Sequence, residues 1–154
     1  MNKPINKTYN ISDIPEQGRF GGVRKFDIHT GVDLYCDDGE PVYAIENGVV
    51  VNISNFTGKD SPWWFETHAI LIEGESGVIL YGELYVPLLS IGDIVTAGEL
   101  LGRVKRVLRN DKGLPTTMLH IELYKSGYKG DGEWWIAEKP TDLMNVEEIL
   151  NKIY

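Results

Sequence analysis

The chain has 154 residues, 42% of them apolar and 25% charged, which is the composition of one globular domain long enough to bury a core. Its formal charge of −8 and pI near 4.8 argue against nucleic acid or an anionic membrane as partner, since both need a basic face. Cys36 is the single cysteine, so neither an internal disulfide nor a cysteine-based zinc site is expected.

Residues 1–18, "MNKPINKTYNISDIPEQG", are polar and carry Pro4, Pro15 and Gly18. They read as an N-terminal arm that need not be ordered, ahead of a single domain over 19–154. The arm has no apolar centre of an export signal, and no stretch is long enough to span a membrane. The compartment stays open: cytoplasmic as synthesised, or exported by another route. From "FDIHTGVDLY" onward, short apolar runs alternate with turns. "GVVVNIS" (48–54), "THAILIEG" (67–74), "GVILYGELY" (77–85) and "TMLHIELY" (117–124) are β-branched or aromatic runs and predict strands. "CDDGEP" (36–41) and "EGESG" (73–77) supply turns, and "SIGDIVTAGELLGRV" (90–104) predicts two short strands around Ala97-Gly98. "NFTGKDSPWWFE" (55–66) and "YKSGYKGDGEWW" (124–135) predict surface loops bearing tryptophans. Asn145, Val146, Ile149, Leu150 and Ile153 predict a capped C-terminal helix.

His29 and Asp33 are four apart in "HTGVD", and an even separation in an extended segment puts both side chains on one face. His120 lies on a strand whose other face, Leu119, Ile121 and Leu123, is apolar. Two imidazoles and a carboxylate form the three-ligand set of a catalytic zinc site, with the fourth position left for water. Such spacing also arises readily by chance.

The surrounding motifs go further. "RKFDIHTGVDLYCDDGEPVYAIENGVVV" resembles the opening of the lysostaphin/LytM family of zinc peptidases. There a His-x-x-x-Asp pair precedes a Gly-x-Pro-Val turn, here Gly39 to Val42, and an Ala-x-x-x-Gly-x-Val strand, here Ala44 to Val50. "LSIGDIVTAGELLGRV" is similar to its later glycine hairpin, "MLHIELY" to its His-x-His-Phe-Glu strand, and "EKPTDLMN" to its closing turn. The resemblance covers roughly residues 19–145. It implies an all-β, mainly antiparallel sheet with a groove and a short C-terminal helix. It also implies one Zn2+ per chain, held by His29, Asp33 and His120.

Two histidines of that family's groove are missing. "YGEL" puts Glu83 where one would stand and "MLH" puts Met118 at the other, while His68 matches neither position. A base must still take a proton from the attacking water, and glutamate does this in other metallopeptidases. Tyr81, Glu83 and Tyr85 alternate along a predicted strand, so Glu83 is expected as general base, with Tyr81 or Tyr85 donating to the oxyanion. Met118 transfers no proton and reads as an apolar wall. Glu122, two residues past His120, is placed to orient that ligand, or simply to face solvent. Arg24 has the fork to clamp a substrate carboxylate. Trp63 and Trp64, with Trp134 and Trp135, offer a stacking rim; a solvated arginine and loop-packed tryptophans are the commoner outcomes. The expected function is a zinc metalloendopeptidase acting on stem or cross-bridge peptides of bacterial peptidoglycan. The alternatives are an inactive metal-binding module that holds a peptide or regulates a hydrolase, and a structural domain of a secretion or phage-like machine. Oligomeric state has no signature in the sequence.

Overall fold

A computed structural model describes residues 1–110 and 116–154. Nine strands among the described residues all pair antiparallel: β1 (Val32–Tyr35), β2 (Pro41–Tyr43), β3 (Gly48–Thr57), β4 (Thr67–Gly74), β5 (Gly77–Leu84), β6 (Ile94–Val95), β7 (Leu100–Arg103), β8 (Met118–Tyr124) and β9 (Leu143–Met144). β3, β4, β5 and β8 lie on the four predicted apolar runs and β6 and β7 within the predicted 90–104 segment, whereas β2 and β9 form where turns were expected. The single α-helix among the described residues is α1 (Glu147–Ile153); its N-cap position is Val146, without a side-chain cap, and the expected cap Asn145 stands one residue earlier, its Oδ1 accepting from the Glu147 backbone N–H at 2.9 Å. The main sheet runs β1-β8-β5-β4-β3-β6, with β9 added to β8, and β2 pairs with β7 in a small second sheet. The fold class is the one the sequence predicts. The two strands around Ala97-Gly98 exist but do not pair with each other: β6 joins β3 and β7 joins β2.

Side-chain alternation divides the sheet into two faces. Val32, Leu34, Ile79, Tyr81, Leu119, Ile121 and Leu123 point into the larger core, which α1 covers with Ile149 and Leu150. Leu80, Val78, Leu71 and Tyr124 form a smaller cluster with Tyr128 and Leu143. Asp33, His120 and Glu122 lie at the positions of β1 and β8 that alternate with the larger core.

The first eighteen residues differ from expectation. Ile5, Ile11 and Ile14 are buried in the larger core. Asn2 N donates to Ile45 O and Tyr43 N to Pro4 O, each at 2.8 Å, so the segment is tied to the β2 region. Burying an isoleucine contributes about 1.5–3 kcal/mol, enough to offset much of the entropy lost by ordering its neighbours. The arm is therefore part of the domain.

Candidate metal centre

Strand register brings two of the predicted ligands together. Asp33 on β1 is the cross-strand partner of His120 on β8, so their side chains share a face. On the other side of β8, His120 pairs with Gly82 of β5. The Phe56 ring stands 5.4 Å from the His120 ring, centroid to centroid, and a Cβ on Gly82 would crowd it at 2.9 Å. His29 arrives differently from the even-spacing expectation. It precedes β1 and is separated from it by a bend at Gly31, where any side chain would collide with the Ile121 carbonyl. His29 N donates to Gly22 O and Gly21 N donates to His29 O, both at 2.9 Å, which pins the residue from its own backbone.

The three side chains converge, buried, with ligand atoms within 4.8 Å of one another. His29 Nε2 lies 3.2 Å from His120 Nδ1 and 3.2 Å from Asp33 Oδ1, and His120 Nδ1 lies 2.8 Å from Asp33 Oδ1. Each outer imidazole nitrogen has its own partner. His29 Nδ1 donates to the Arg19 carbonyl at 3.0 Å, and His120 Nε2 donates to Glu122 Oε1 at 2.8 Å. In the neutral tautomers these bonds leave both inward nitrogens as lone pairs facing a carboxylate. Such an arrangement demands a cation at its centre. A tetrahedral zinc with bonds of about 2.0–2.1 Å sets its ligand atoms about 3.3 Å apart, close to two of the three separations here. The donor set and its spacing therefore fit zinc.

A proton also satisfies that demand. Burial lowers the His120 pKa, but hydrogen bonds to Asp33 and Glu122 outweigh it and push the group up to about 10. His29 is lowered, chiefly by burial, with the Asp33 contact opposing. Burial raises the Asp33 carboxyl, yet its bonds to His120 and His29 hold it well below the usual carboxylate range. Glu122 is likewise lowered against burial, by His120, Thr30 and Tyr124.

Glu83 is buried beside this group. Burial and the Asp33 charge push its pKa up to about 8, while His120 and Arg24 act in the opposite direction. Its Oε2 has no hydrogen-bond partner among the described residues. A buried carboxyl oxygen without a partner costs about 1–3 kcal/mol, and Glu46 Oε1 and Ser54 Oγ share that condition elsewhere in the fold.

The tyrosines expected next to Glu83 are elsewhere. Glu83 has φ +67°, and the β4–β5 register shifts between His68 and Ile70, so a bulge interrupts the alternation. Tyr81 points into the larger core, where its hydroxyl accepts from Ile45 N at 3.0 Å. Tyr85 lies beyond the bulge, 42% exposed, and its hydroxyl donates to Asp38 at 3.0 Å. Neither phenol faces the centre as an oxyanion donor. Arg24 is not a free clamp: its guanidinium donates to Asp33 Oδ2 at 3.0 Å and to the Gln17 carbonyl, and so fixes the Asp33 carboxylate instead. Met118 is half-buried opposite Tyr35 at the end of β8. Trp63 and Trp64 are exposed, as is Trp134, whereas Trp135 packs 5.5 Å from Phe20. Glu122 is buried, not facing solvent, and accepts from His120 Nε2. Thr30 and Tyr124, which hold Glu122 through bonds of 2.5 and 2.6 Å, escaped sequence reasoning, though the Glu122–Tyr124 spacing on a strand was a usable signal.

The buried two-histidine, one-aspartate centre on the face of a mainly antiparallel sheet is a donor set able to hold a metal ion. The model of peptidase family M23 matches residues 27–132, and the chain belongs to that family. Membership supports a peptidoglycan-related function of the metallopeptidase type. Among solved structures, the catalytic domain of the prophage-encoded M23 protein EnpA from Enterococcus faecalis superposes with a TM-score of 0.55 at 22% identity, covering 92% of this chain and 95% of that one. Csd3 of Helicobacter pylori gives 0.53 at 23% identity, covering 98% of this chain and 39% of that one. These likenesses concern the fold. A protein of Pseudomonas fluorescens (strain SBW25) named orotate phosphoribosyltransferase is 23% identical over 122 residues, 79% of this chain and 56% of that protein. The chain thus spans little more than half of that relative, and at this identity the name carries no activity across.

Proposed function

We propose that the chain is a zinc-dependent metalloendopeptidase that hydrolyses a peptide bond in the stem or cross-bridge of bacterial peptidoglycan. One observation carries the reading: the buried, unpartnered Oε2 of Glu83 stands within electrostatic reach of a centre that demands a cation. Two imidazoles with one carboxylate suit zinc better than calcium or magnesium, which prefer oxygen shells. His29, Asp33 and His120 would hold it, and when bound it supplies Lewis acidity towards water and the scissile carbonyl. Glu83 accepts the proton released by the attacking water and returns it to the leaving amine, the role that two family histidines leave open here. Arg24 and Glu122 keep Asp33 and His120 in the geometry that ligation needs. Met118 supplies an apolar wall, and the exposed rings of Trp63 and Trp64 offer a stacking surface for the substrate.

Metal analysis of the purified protein, run beside mass spectrometry of digested peptidoglycan, tests the reading. One zinc per chain and new peptide termini are expected. Zinc with wall-peptide binding but no cleavage would make the chain a binding module instead.

A further inference from the structure

The chain carries net charge −8, yet three cations gather round one aromatic ring on its surface. The Phe65 ring centroid has Arg109 Cζ at 4.5 Å, Arg106 Cζ at 5.5 Å and Lys105 Nζ at 5.9 Å, and Lys105 also stands 5.6 Å from the Tyr85 ring. Phe65, Tyr85, Lys105, Arg106 and Asp38 line a hollow of about 370 Å³, at the small end of ligand pockets. Asp38 is the one acidic residue in that lining. Its carboxylate is already occupied by the Tyr85 hydroxyl, at 3.0 and 3.1 Å, and by the Arg106 backbone N–H at 2.8 Å. Among the described residues, neither the Lys105 ammonium nor the Arg106 guanidinium forms a salt bridge.

Backbone hydrogen bonds tie the hollow to the end of β5 that carries Glu83. Lys105 N donates to the Glu83 carbonyl and Tyr85 N donates to the Arg103 carbonyl, both at 2.9 Å. Glu83 turns its side chain inward, and Tyr85, two residues on, reaches the hollow.

We propose that this hollow is a subsite for a carboxylate-bearing residue of a peptide substrate. Lys105 and Arg106 pair with the carboxylate while the Phe65 and Tyr85 rings pack against its stem. This deepens the peptidase reading and rests on it for the ligand being a peptide substrate, but the binding itself can be measured without catalysis. The cation–π contacts alone would serve only to hold the segment around Phe65 in place, and a binding comparison separates the two roles.

The full chain, isotope-labelled, is titrated by NMR with blocked Ala-Glu-Ala and blocked Ala-Gln-Ala peptides. The acidic peptide should shift the amides of Phe65, Tyr85, Lys105 and Arg106 and bind at least about fivefold tighter at low salt, an advantage lost near 0.5 M salt, where the screening length is only a few ångströms. The double substitution Lys105→Gln, Arg106→Gln should abolish the difference between the peptides. Equal affinity of the two peptides for the parent, shifts confined to other surfaces, or tighter binding of glycerol phosphate than of the acidic peptide would each overturn the proposal, and none of these needs the variant to fold. A clear acidic preference without cleavage of peptidoglycan would leave the subsite standing and remove the peptidase reading. Cleavage with no acidic preference would do the reverse.

Discussion

Glu122 Oε1 accepts from His120 Nε2 at 2.8 Å, and this bond fixes which imidazole nitrogen faces Asp33. The carboxylate is itself held by Thr30 Oγ1 at 2.5 Å and Tyr124 OH at 2.6 Å. It cannot swing away without breaking both. A carboxylate behind an imidazole raises the basicity of the ligand nitrogen and sets its orientation before metal arrives. Glu122→Gln retains the shape and removes the charge, so zinc affinity should fall about 10- to 100-fold, as is usual for such outer partners. Competition against a chromophoric chelator measures this. An unchanged affinity would mean that the pair contributes only to packing.

The protonation of the centre predicts how metal binding depends on pH. With His120 pushed up to about 10 and Glu83 up to about 8, the metal-free protein at pH 7 holds a proton on each that an unfolded chain would hold less of. Both folded pKa values are raised, so both groups contribute stability at low pH that is lost as pH rises. For Glu83 the loss runs from its ordinary 4.5 to about 8, and for His120 from 6.5 to about 10. Asp33 and Glu122 are lowered, so their contribution is present above the ordinary carboxylate range and disappears in acid. In chelator, thermal stability should therefore peak at about pH 5–6 and decline towards pH 9. Zinc must displace the His120 proton, so calorimetry at pH 7 in buffers of different ionisation heat should report release of about one proton or more. Release near zero would contradict the protonated His120.

The sequence makes some of this legible for physical reasons. Alternation in "MLHIELY" decides that Leu119, Ile121 and Leu123 meet the core and that His120 and Glu122 share the opposite face, because strand periodicity is local. His29, Asp33 and His120 are recognisable as ligand types wherever they fold. The orientation of Glu83 is not local in this sense. Its positive φ comes from a mismatch in length between β4 and β5, which only their pairing reveals, and the same bulge removes Tyr85 from the face that alternation assigned to it. Arg24 reaches Asp33 because a tight turn links the Val23–Ile28 bridge, a tertiary contact without a spacing signature. Ile5, Ile11 and Ile14 are scattered among polar residues with no helical or strand period, so their burial shows only in the packed domain.

Tyr81 and Tyr85 can be tested against the role that simple alternation gave them. Tyr81→Phe deletes the acceptor of the buried Ile45 N–H, and leaving such a donor unpaired costs about 1–3 kcal/mol. The variant should melt several degrees lower while turnover per folded molecule stays within about twofold, since losing an oxyanion donor would slow the reaction by about 100-fold or more. Tyr85→Phe should spare both stability and the chemical step, because its hydroxyl serves only an exposed carboxylate. If either variant melts like the parent yet turns over about two orders of magnitude more slowly, the phenol belongs in the reaction after all.

Glu83 decides whether the centre is catalytic. A buried carboxyl with an unpartnered oxygen is a standing cost to the fold, and retaining it makes physical sense if substrate water fills the gap. Glu83→Gln preserves size and removes the base. It should leave zinc content unchanged, remove the buried group whose raised pKa makes metal-free stability fall between pH 4.5 and 8, and lower turnover at least about 100-fold, the low end for acid–base catalysis. His120→Ala should instead lose metal and activity together. Met118→His returns an imidazole to the end of β8 and should raise turnover little if Glu83 is the base. If Glu83→Gln cleaves as fast as the parent while binding the same zinc, the base lies elsewhere. The unpartnered oxygen would then be a structural cost without a catalytic role.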